Sequence, residues 1–285
     1  MKILNVSVIV ATKNRAKLLR ETLGALQCQN FSAFEIIVVD DGSTDETAQI
    51  VGHFSGIKYL KNKGKGPAAA RNAGIRASKG KIIAVMDNDC IAEKDWLKKL
   101  VAPFEKNQKV GITTSFNEYG GTSTAYRKDV LEKAGLFDEE FPSNYREDTD
   151  TVFKVQDLGF TVVRTRAEFE HKHEAPKGLA GKLSYAWSRV WKHEVDPLLY
   201  KKHPERTREF LKIKWNFWRP AREDFKVATG LWKKQFGLSS PQGIQFIENK
   251  SFLHAIAIVL SGIAYVVLVK AARVWGSVRF GKLLV

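Results

Sequence analysis

The sequence predicts an α/β protein with a mostly parallel sheet flanked by helices, followed by a helical C-terminal region. Three observations lead to this prediction. Short β-branched segments alternate with helical patterns through the first part of the chain, which is typical of βαβ units. Polar and acidic residues directly follow the predicted strands. The remainder of the chain is basic, rich in tryptophan and contains a long apolar segment.

The predicted elements alternate along the chain. Strands are predicted at residues 6–11, 36–39, 57–60 and 81–86, and helices at residues 15–28, 45–54 and 68–77. The strands are continuously apolar, which is typical of strands buried on both faces of a sheet. A helix between successive strands predicts right-handed crossovers and a parallel sheet. In such a sheet a ligand binds beyond the carboxyl ends of the strands.

The composition is that of a folded protein. Of its 285 residues, 44% are hydrophobic and 27% are charged, which excludes a disordered or wholly membrane-embedded chain. Cys28 and Cys90 stand at neither metal-binding nor redox spacing, and they do not indicate a secreted disulfide framework. The N-terminus lacks a charged leader followed by a long apolar run, so we expect a location in the cytoplasm or at its membrane face.

Charge is unevenly distributed between the two parts of the chain. Residues 1–175 contain 26 Lys and Arg against 24 Asp and Glu, whereas residues 176–285 contain 20 against 7. Six of the seven tryptophans lie in the second part. Such a basic, aromatic region predicts a polyanionic partner, either nucleic acid or an anionic membrane surface.

The apolar segment at residues 251–269 favours the membrane. It has no formally charged side chain, and Lys250 and Lys270 flank it. As a helix it would extend about 28 Å, close to the roughly 30 Å of a hydrocarbon core. We expect a spanning helix with the basic tail outside, and the alternative is a C-terminus that lies within one leaflet. The N-terminal domain stays on the cytoplasmic face in both arrangements.

We therefore predict three parts. An α/β catalytic domain occupies residues 1–175, basic aromatic amphipathic helices occupy residues 176–245, and a hydrophobic helix with a basic tail occupies residues 246–285.

Two acidic clusters follow predicted strands. Asp40 and Asp41 end the second strand, and Asp87, Asn88 and Asp89 end the fourth. Turns favour these residue types, which would explain either cluster alone. Carboxylates crowded at one sheet edge repel each other unless cations or hydrogen-bond donors neutralise them. Two clusters at the same edge therefore predict a ligand site.

Together with downstream segments, these clusters resemble the family-2 glycosyltransferases, whose nucleotide-sugar-binding fold is called GT-A. The matching segments are residues 6–15, 34–47, 66–80, 84–90, 134–141 and 146–160. Each segment alone is a weak signal, because short acidic motifs are common by chance. Six such segments in the family's order are a specific signal.

The resemblance implies a donor site. Its residues are Ala11, Thr12, Asn14 and Arg15 in the turn that walls the base, Asp40 and Asp41 at the base or ribose, Arg71 at the base or diphosphate, and Asp87, Asn88 and Asp89. A guanidinium fork suits phosphate oxygens, which makes Arg71 chemically plausible in this role.

The resemblance also implies a metal and a base. Asp87-Asn88-Asp89 resembles the DXD motif that holds Mn²⁺ or Mg²⁺, with Asp89 coordinating directly and Asp87 contacting the ribose or a water. His171 completes the metal shell in this interpretation, and His173 is the alternative ligand. Glu147-Asp148 resembles the ED motif, with Asp148 as the general base and Glu147 in acceptor binding.

The predicted function is that of an inverting, metal-dependent glycosyltransferase. It would move a sugar from a GDP- or UDP-linked donor to a lipid-linked or membrane-proximal acceptor at the membrane. One alternative is a sugar-phosphate nucleotidyltransferase, which the absence of glycine from residues 12–15 disfavours. The other is a non-enzymatic nucleic-acid-binding protein, which the apolar segment disfavours. The identity of the donor nucleotide, including dTDP, stays open.

Overall fold

The computed structural model describes residues 5–143, 145–172, 177–229 and 252–285. The chain forms two compact units, Met1–Lys172 and His173–Val285. The finer division at residues 175 and 245 stays a prediction.

The first unit is an α/β fold, which confirms the predicted fold class. Its strands are β1 (Val6–Thr12), β2 (Phe34–Asp40), β3 (Ile57–Lys61), β4 (Ile82–Val85), β5 (Cys90–Ala92), β6 (Val110–Thr114), β7 (Thr124–Arg127), β8 (Thr161–Arg164) and β9 (Phe169–His171). Its helices are α1 (Ala16–Gln27), α2 (Thr47–Gly52), α3 (Pro67–Ala77), α4 (Trp96–Lys106), α5 (Lys128–Lys133) and α6 (Glu147–Asp157).

Seven strands form one sheet in the order β3-β2-β1-β4-β7-β6-β8, and β5 and β9 form a separate antiparallel pair. The pairs that β1 makes with β2 and β4, and β2 with β3, are parallel as predicted. Strand β7 runs antiparallel to both its neighbours. The carboxyl ends of β1, β2 and β4 therefore lie at one edge, where the predicted acidic clusters are.

Helix α3 packs very closely on the sheet. A Cβ atom added to Gly74 would lie 2.7 Å from Ile9 Cγ2 and 3.1 Å from Val39 Cγ2. Both of those side chains are buried in the strands beneath the helix. This approach brings the preceding turn of α3, which carries Arg71, against the sheet edge, where the side chain is buried.

The second unit is helical. Its helices are α7 (Gly178–Trp191), a 3₁₀ turn (Lys192–Val195), α8 (Asp196–Lys202), α9 (Pro204–Leu211), α10 (Ala221–Thr229) and α11 (Phe252–Phe280). Helix α11 continues through part of the sequence predicted as a basic tail. Among the described residues, its segment Val259–Phe280 is the one stretch with the length and apolar composition of a membrane span, a property that buried helices of soluble proteins share.

A buried network of charges holds the second unit together. Arg273 on α11 is fully buried, and it donates to Asp196 at 2.9 Å and to Asp224 at 2.6 and 2.9 Å. Arg219 donates to Asp224 at 2.7 Å, and the His193 ring lies 2.9 Å from Asp196. Because buried charges are stable only when paired, this network fixes α11 to α8 and α10.

Candidate active site

Arg71 joins two acidic segments that are far apart in the sequence. Its Nη1 atom lies 2.7 Å from Glu147 Oε1 and 3.6 Å from Asp148 Oδ1, and its Nη2 atom lies 3.7 Å from Asp87 Oδ1. Its guanidinium also stacks over the Phe137 ring, 5.4 Å from the centroid. A single buried cation thus faces three carboxylates, which leaves this cluster with an excess of negative charge.

The pKa values of Glu147 and Asp148 are both raised in this cluster. Burial raises the pKa of Glu147, and repulsion by Asp148 adds to the rise although Arg71 opposes it. Burial likewise raises the pKa of Asp148, against the lowering effect of Arg71. Glu147 Oε2 and Asp148 Oδ1 are buried and have no hydrogen-bond partner among the described residues. Strongly perturbed carboxyls of this kind are typical of functional sites.

The first turn of α6 places the two carboxyls differently. Glu147 is fully buried against Arg71, whereas the Asp148 side chain is 18% exposed. The residue before them, Arg146, has a positive φ of 75°, a conformation that is uncommon outside glycine. Asp148 therefore offers its carboxylate to the solvent side of the cluster, and Glu147 lies behind it.

Asp89 forms a second group of contacts. Its carboxylate lies 2.6 Å from Arg15 Nη1 and 3.0 Å from His171 Nε2. Cys90 pairs with His171 across β5 and β9, and the ligand atoms of Asp89, Cys90 and His171 all lie within 4.8 Å of one another. The two predicted metal ligands Asp89 and His171 are thus brought together.

The donor atoms of this group suit a divalent transition metal. A carboxylate oxygen and an imidazole nitrogen are ligands that Mn²⁺ accepts readily. Burial and the nearby charges of Asp87 and Asp89 raise the pKa of the Cys90 thiol. A thiol is also a softer ligand than Mn²⁺ or Mg²⁺ prefers. The residues present therefore fit a metal held by Asp89 and His171. Asp87, the third predicted ligand, faces Arg71 and is not part of this group, and His173 lies outside the described residues.

Asp40 and Asp41 are buried, and their carboxylates are bonded within the loops that follow β2 and β3. Asp40 accepts hydrogen bonds from the Ser43 amide at 2.8 Å and from the Tyr59 hydroxyl at 2.5 Å. Asp41 accepts from the Asn62 amide at 2.6 Å and from the Gly66 amide at 2.9 Å. Gly66 directly precedes α3, so these bonds order the loop that leads to the helix of Arg71. The predicted contacts of Asp40 and Asp41 with the base or the ribose stay predictions.

The turn after β1 is tied to both acidic clusters. Asn14 accepts a bond from the Thr44 amide at 2.7 Å, and its own amide donates to Ser43 Oγ at 2.9 Å. The Asn88 side chain donates to Thr12 Oγ1 at 2.8 Å, and Ala11 pairs with Val39. The turn predicted to wall the base thus lies between the β2 and β4 ends.

Sequence reasoning missed two residues of the site, Tyr126 and Cys90. The Tyr126 hydroxyl is buried without a hydrogen-bond partner among the described residues, and burial and then Asp148 raise its pKa. Nothing in the sequence signals it. Cys90 directly follows the DXD-like triplet, which was an available signal. Gly120 packs on Asp148: an added Cβ would lie 2.9 Å from Asp148 Cβ.

The sequence of the first unit matches a known family. Residues 7–165 match the model of Glycosyl transferase family 2, more than half of the chain, so the protein belongs to that family.

Individual relatives cover only part of the chain. The glycosyltransferase AglE of Haloferax volcanii is 34% identical over 133 residues, which are 44% of this chain and 44% of that protein. An uncharacterized glycosyltransferase of Rickettsia conorii is 35% identical over 116 residues, 40% of this chain and 19% of its own length. The chain thus spans less than half the length of these curated relatives.

Solved structures share the fold. The mannosyltransferase PcManGT from Pyrobaculum calidifontis, in complex with GDP-Man and Mn²⁺, aligns with a TM-score of 0.59 at 16% identity over 95% of this chain and 87% of that one. Staphylococcus aureus TarS residues 1–349, in complex with UDP, aligns with a TM-score of 0.55 at 20% identity over 98% and 92%.

Proposed function

We propose that this protein is an inverting, metal-dependent glycosyltransferase. It transfers a sugar from a nucleoside-diphosphate donor, GDP- or UDP-linked, to a hydroxyl of a lipid-linked or membrane-proximal acceptor on the cytoplasmic face of the membrane. The observation that carries the proposal is the convergence of Asp87, Glu147 and Asp148 on Arg71 at the sheet edge where Asp89 meets His171.

Asp148 is the general base of the proposed reaction. Its raised pKa brings it closer to the basicity that proton abstraction at neutral pH requires. The acceptor oxygen attacks the anomeric carbon and its proton passes to Asp148. The bond between that carbon and the β-phosphate oxygen breaks, and its electron pair stays on the phosphate. Attack opposite the leaving group inverts the anomeric configuration.

Glu147 and Arg71 are positioning residues in this scheme. Glu147 is fully buried and bonded to Arg71, so it holds the guanidinium and has no open path to an acceptor. Arg71 in turn lies 3.6 Å from Asp148 and favours its ionised form. This assigns Glu147 a supporting role in place of the acceptor contact that the resemblance implied.

Asp89 and His171 would hold the metal, Mn²⁺ or Mg²⁺. When bound, such an ion neutralises charge on the departing nucleoside diphosphate. The complex of PcManGT with GDP-Man and Mn²⁺ supports a nucleotide-sugar donor and a divalent metal, and the complex of TarS with UDP leaves the nucleotide open. Arg15, whose side chain is 49% exposed beside Asp89, is available to the diphosphate.

A membrane-proximal acceptor is proposed on two grounds. The second unit carries the basic, aromatic sequence, and α11 has the composition of a membrane-associated helix. Confining enzyme and acceptor to one surface raises the acceptor's effective concentration.

The test combines donor binding with turnover. The full chain is incubated with UDP-, GDP- and dTDP-sugars, with and without Mn²⁺, and the melting temperature is measured. We expect one nucleotide class to raise it in a manner that Mn²⁺ enhances. Mn²⁺ binding, measured by calorimetry or electron paramagnetic resonance, should be lost in Asp89→Asn and retained in Asp129→Asn, an exposed carboxylate on α5. A chain that binds no nucleotide sugar, or an Asp89→Asn variant with normal Mn²⁺ affinity, would contradict the proposal.

A further inference from the structure

Helix α11 has two opposite faces. One face packs inside the second unit through residues that are fully buried, namely Val269, Ala272 and Arg273. The other is an exposed apolar stripe formed by Leu260, Ile263, Val267, Val274 and Val278. At 100° per residue these five positions share one side of the helix, opposite the buried one. The stripe therefore runs along most of the helix length.

Helix α7 carries a second exposed apolar face. Leu179, Leu183 and Trp187 recur at four-residue spacing, so they share one face, and they are 76%, 62% and 55% exposed. The residues from 182 to 189 are all exposed. Helices α7 and α11 pack together where Val190 and Trp191 meet Tyr265, Val269 and Ala272. The exposed faces of both helices thus belong to the same packed pair.

The buried face limits how much of α11 a bilayer could surround. From Tyr265 onward the helix is tied into the unit, because the Tyr265 hydroxyl lies 3.1 Å from His193 Nε2. Lys270 donates to the Arg219 carbonyl at 2.8 Å and lies over the Trp218 ring, and Arg273 joins the buried carboxylates. Residues 251–264, which precede these contacts, would span only about 21 Å as a helix. A hydrocarbon core is about 30 Å thick.

We infer that the second unit binds an anionic membrane surface in the plane of one leaflet, through the exposed apolar faces of α7 and α11, and does not span the bilayer. A helix that lies flat needs one apolar stripe along its length, whereas a spanning helix needs an apolar surface around its circumference. The exposed apolar stripe on α11, with its opposite face packed inside the unit, matches the first arrangement.

The positive charge of the second unit favours an anionic lipid surface as its partner. Residues 176–285 contain 20 Lys and Arg against 7 Asp and Glu, and Lys182 and Arg189 flank the apolar face of α7. Basic side chains beside exposed Leu and Trp fit the headgroup region of anionic lipids. A second copy of this chain carries the same positive charge and would be repelled. The inference deepens the proposed membrane association and is independent of sugar transfer.

Topology is the decisive experiment. The full chain is added to sealed vesicles of phosphatidylcholine and phosphatidylglycerol and labelled with a membrane-impermeant maleimide. Native Cys28, which is exposed, reports on the first unit, and Leu283→Cys in a Cys28→Ser background reports on the C-terminus. We expect both to be labelled without detergent. Labelling of Leu283→Cys only after detergent would show a spanning helix and overturn the inference.

Because added protein could bind without inserting, the same labelling is repeated on sealed vesicles from cells that express the chain. Cys28 and Leu283→Cys should again be labelled from one side. Labelling from opposite sides would overturn the inference.

The docking face is tested with matched variants. Leu183→Ser and Trp187→Ser remove apolar area without changing charge, and each should lower partitioning into phosphatidylglycerol vesicles at least about tenfold. Leu158→Ser, at a 45% exposed leucine in the first unit, is the control and should bind like the unaltered chain. Binding should be weaker at high salt and on pure phosphatidylcholine.

Other occupants have distinct signatures. A dimer in lipid-free solution that Trp187→Ser dissociates would identify a second copy as the partner and overturn the inference. Failure of the unaltered chain to bind anionic vesicles would do the same. Loss of vesicle binding would leave donor binding by the first unit intact, so failure here and failure of the proposed transferase function are distinguishable.

Discussion

Each unit of this protein contains a buried arginine surrounded by carboxylates, and the two clusters are balanced differently. Arg273 faces Asp196 and Asp224, with Arg219 and His193 also in contact, so every charge has an opposite neighbour. In the part of the chain that the structure describes, Arg71 is the one cation that faces Asp87, Glu147 and Asp148.

The difference between the two clusters is visible in the pKa values of their carboxyl groups. Burial by itself would raise the pKa of Asp224, but hydrogen bonds and charge from Arg273 and Arg219 hold it below its usual value. The pKa values of Glu147 and Asp148 are raised, and each has a buried oxygen without a hydrogen-bond partner among the described residues. A balanced cluster stabilises a fold, whereas an unbalanced one is costly and is typical of a site that binds charge or moves protons.

The largest expected effect is on turnover. Asp148→Asn should reduce kcat by about 10²–10⁴-fold, because it removes the proposed base. It should leave the melting temperature unchanged or higher, since it also removes one of the mutually repelling charges. Asp129→Asn is the control and should match the unaltered chain in both measurements. Near-normal turnover in Asp148→Asn would remove this residue from the chemistry.

The next effect is on stability and concerns the balanced cluster. Arg273→Met should lower the free energy of unfolding of the second unit by about 3–5 kcal/mol, because two buried carboxylates lose their main partner. Arg279→Met breaks the exposed pair with Glu194, which lies 3.1 Å away, and should cost about 1 kcal/mol or less. Urea unfolding measures both. Equal losses in the free energy of unfolding would show that the Arg273 network contributes no more than an exposed ion pair.

The pH profile of sugar transfer tests the raised pKa of Asp148 and the effect of Arg71 on it. The base must be ionised, and the pKa of Asp148 is raised, so kcat/KM should fall as the pH drops through a value above the usual aspartate range. Arg71→Gln removes the cation that favours the ionised form, and should move this acid limb about 1–3 units higher. Arg76→Gln, on the exposed side of α3, should not move it. If the acid limb of the pH profile did not shift in Arg71→Gln, a positioning role for Arg71 would be ruled out.

The smallest effect tests packing beside the base. Gly120→Ala should lower kcat by about tenfold, because its Cβ would lie 2.9 Å from Asp148 Cβ and displace the base by a fraction of an ångström. Gly56→Ala is matched, since Gly56 also has a positive φ but has no neighbouring atom within 4 Å of the added Cβ. Both variants should lose stability because of the positive φ, and Gly120→Ala should lose more because of the close contact. An equal change in kcat would attribute the effect to backbone strain alone.

Local patterns in the sequence were sufficient for the parallel part of the sheet. The β-branched runs at residues 6–11 and 36–39 lie within β1 and β2, and the predicted helix at 68–77 corresponds to α3 (Pro67–Ala77). The antiparallel insertion of β7 and the β5–β9 pair were not predicted, because these strands are short and their pairing is set by distant partners. The contacts of Arg71 with the ED pair were missed for the same reason.

The sequence by itself determined the order of the first four strands and of the helices between them, the position of acidic residues after strands and the concentration of positive charge in the second part. These features follow from periodicity and composition, which are local. Only the tertiary structure decided which carboxylates share Arg71, and that Arg273 is buried on the face of α11 opposite its apolar stripe. Charge balance depends on distances between residues remote in sequence, and folding alone sets those distances.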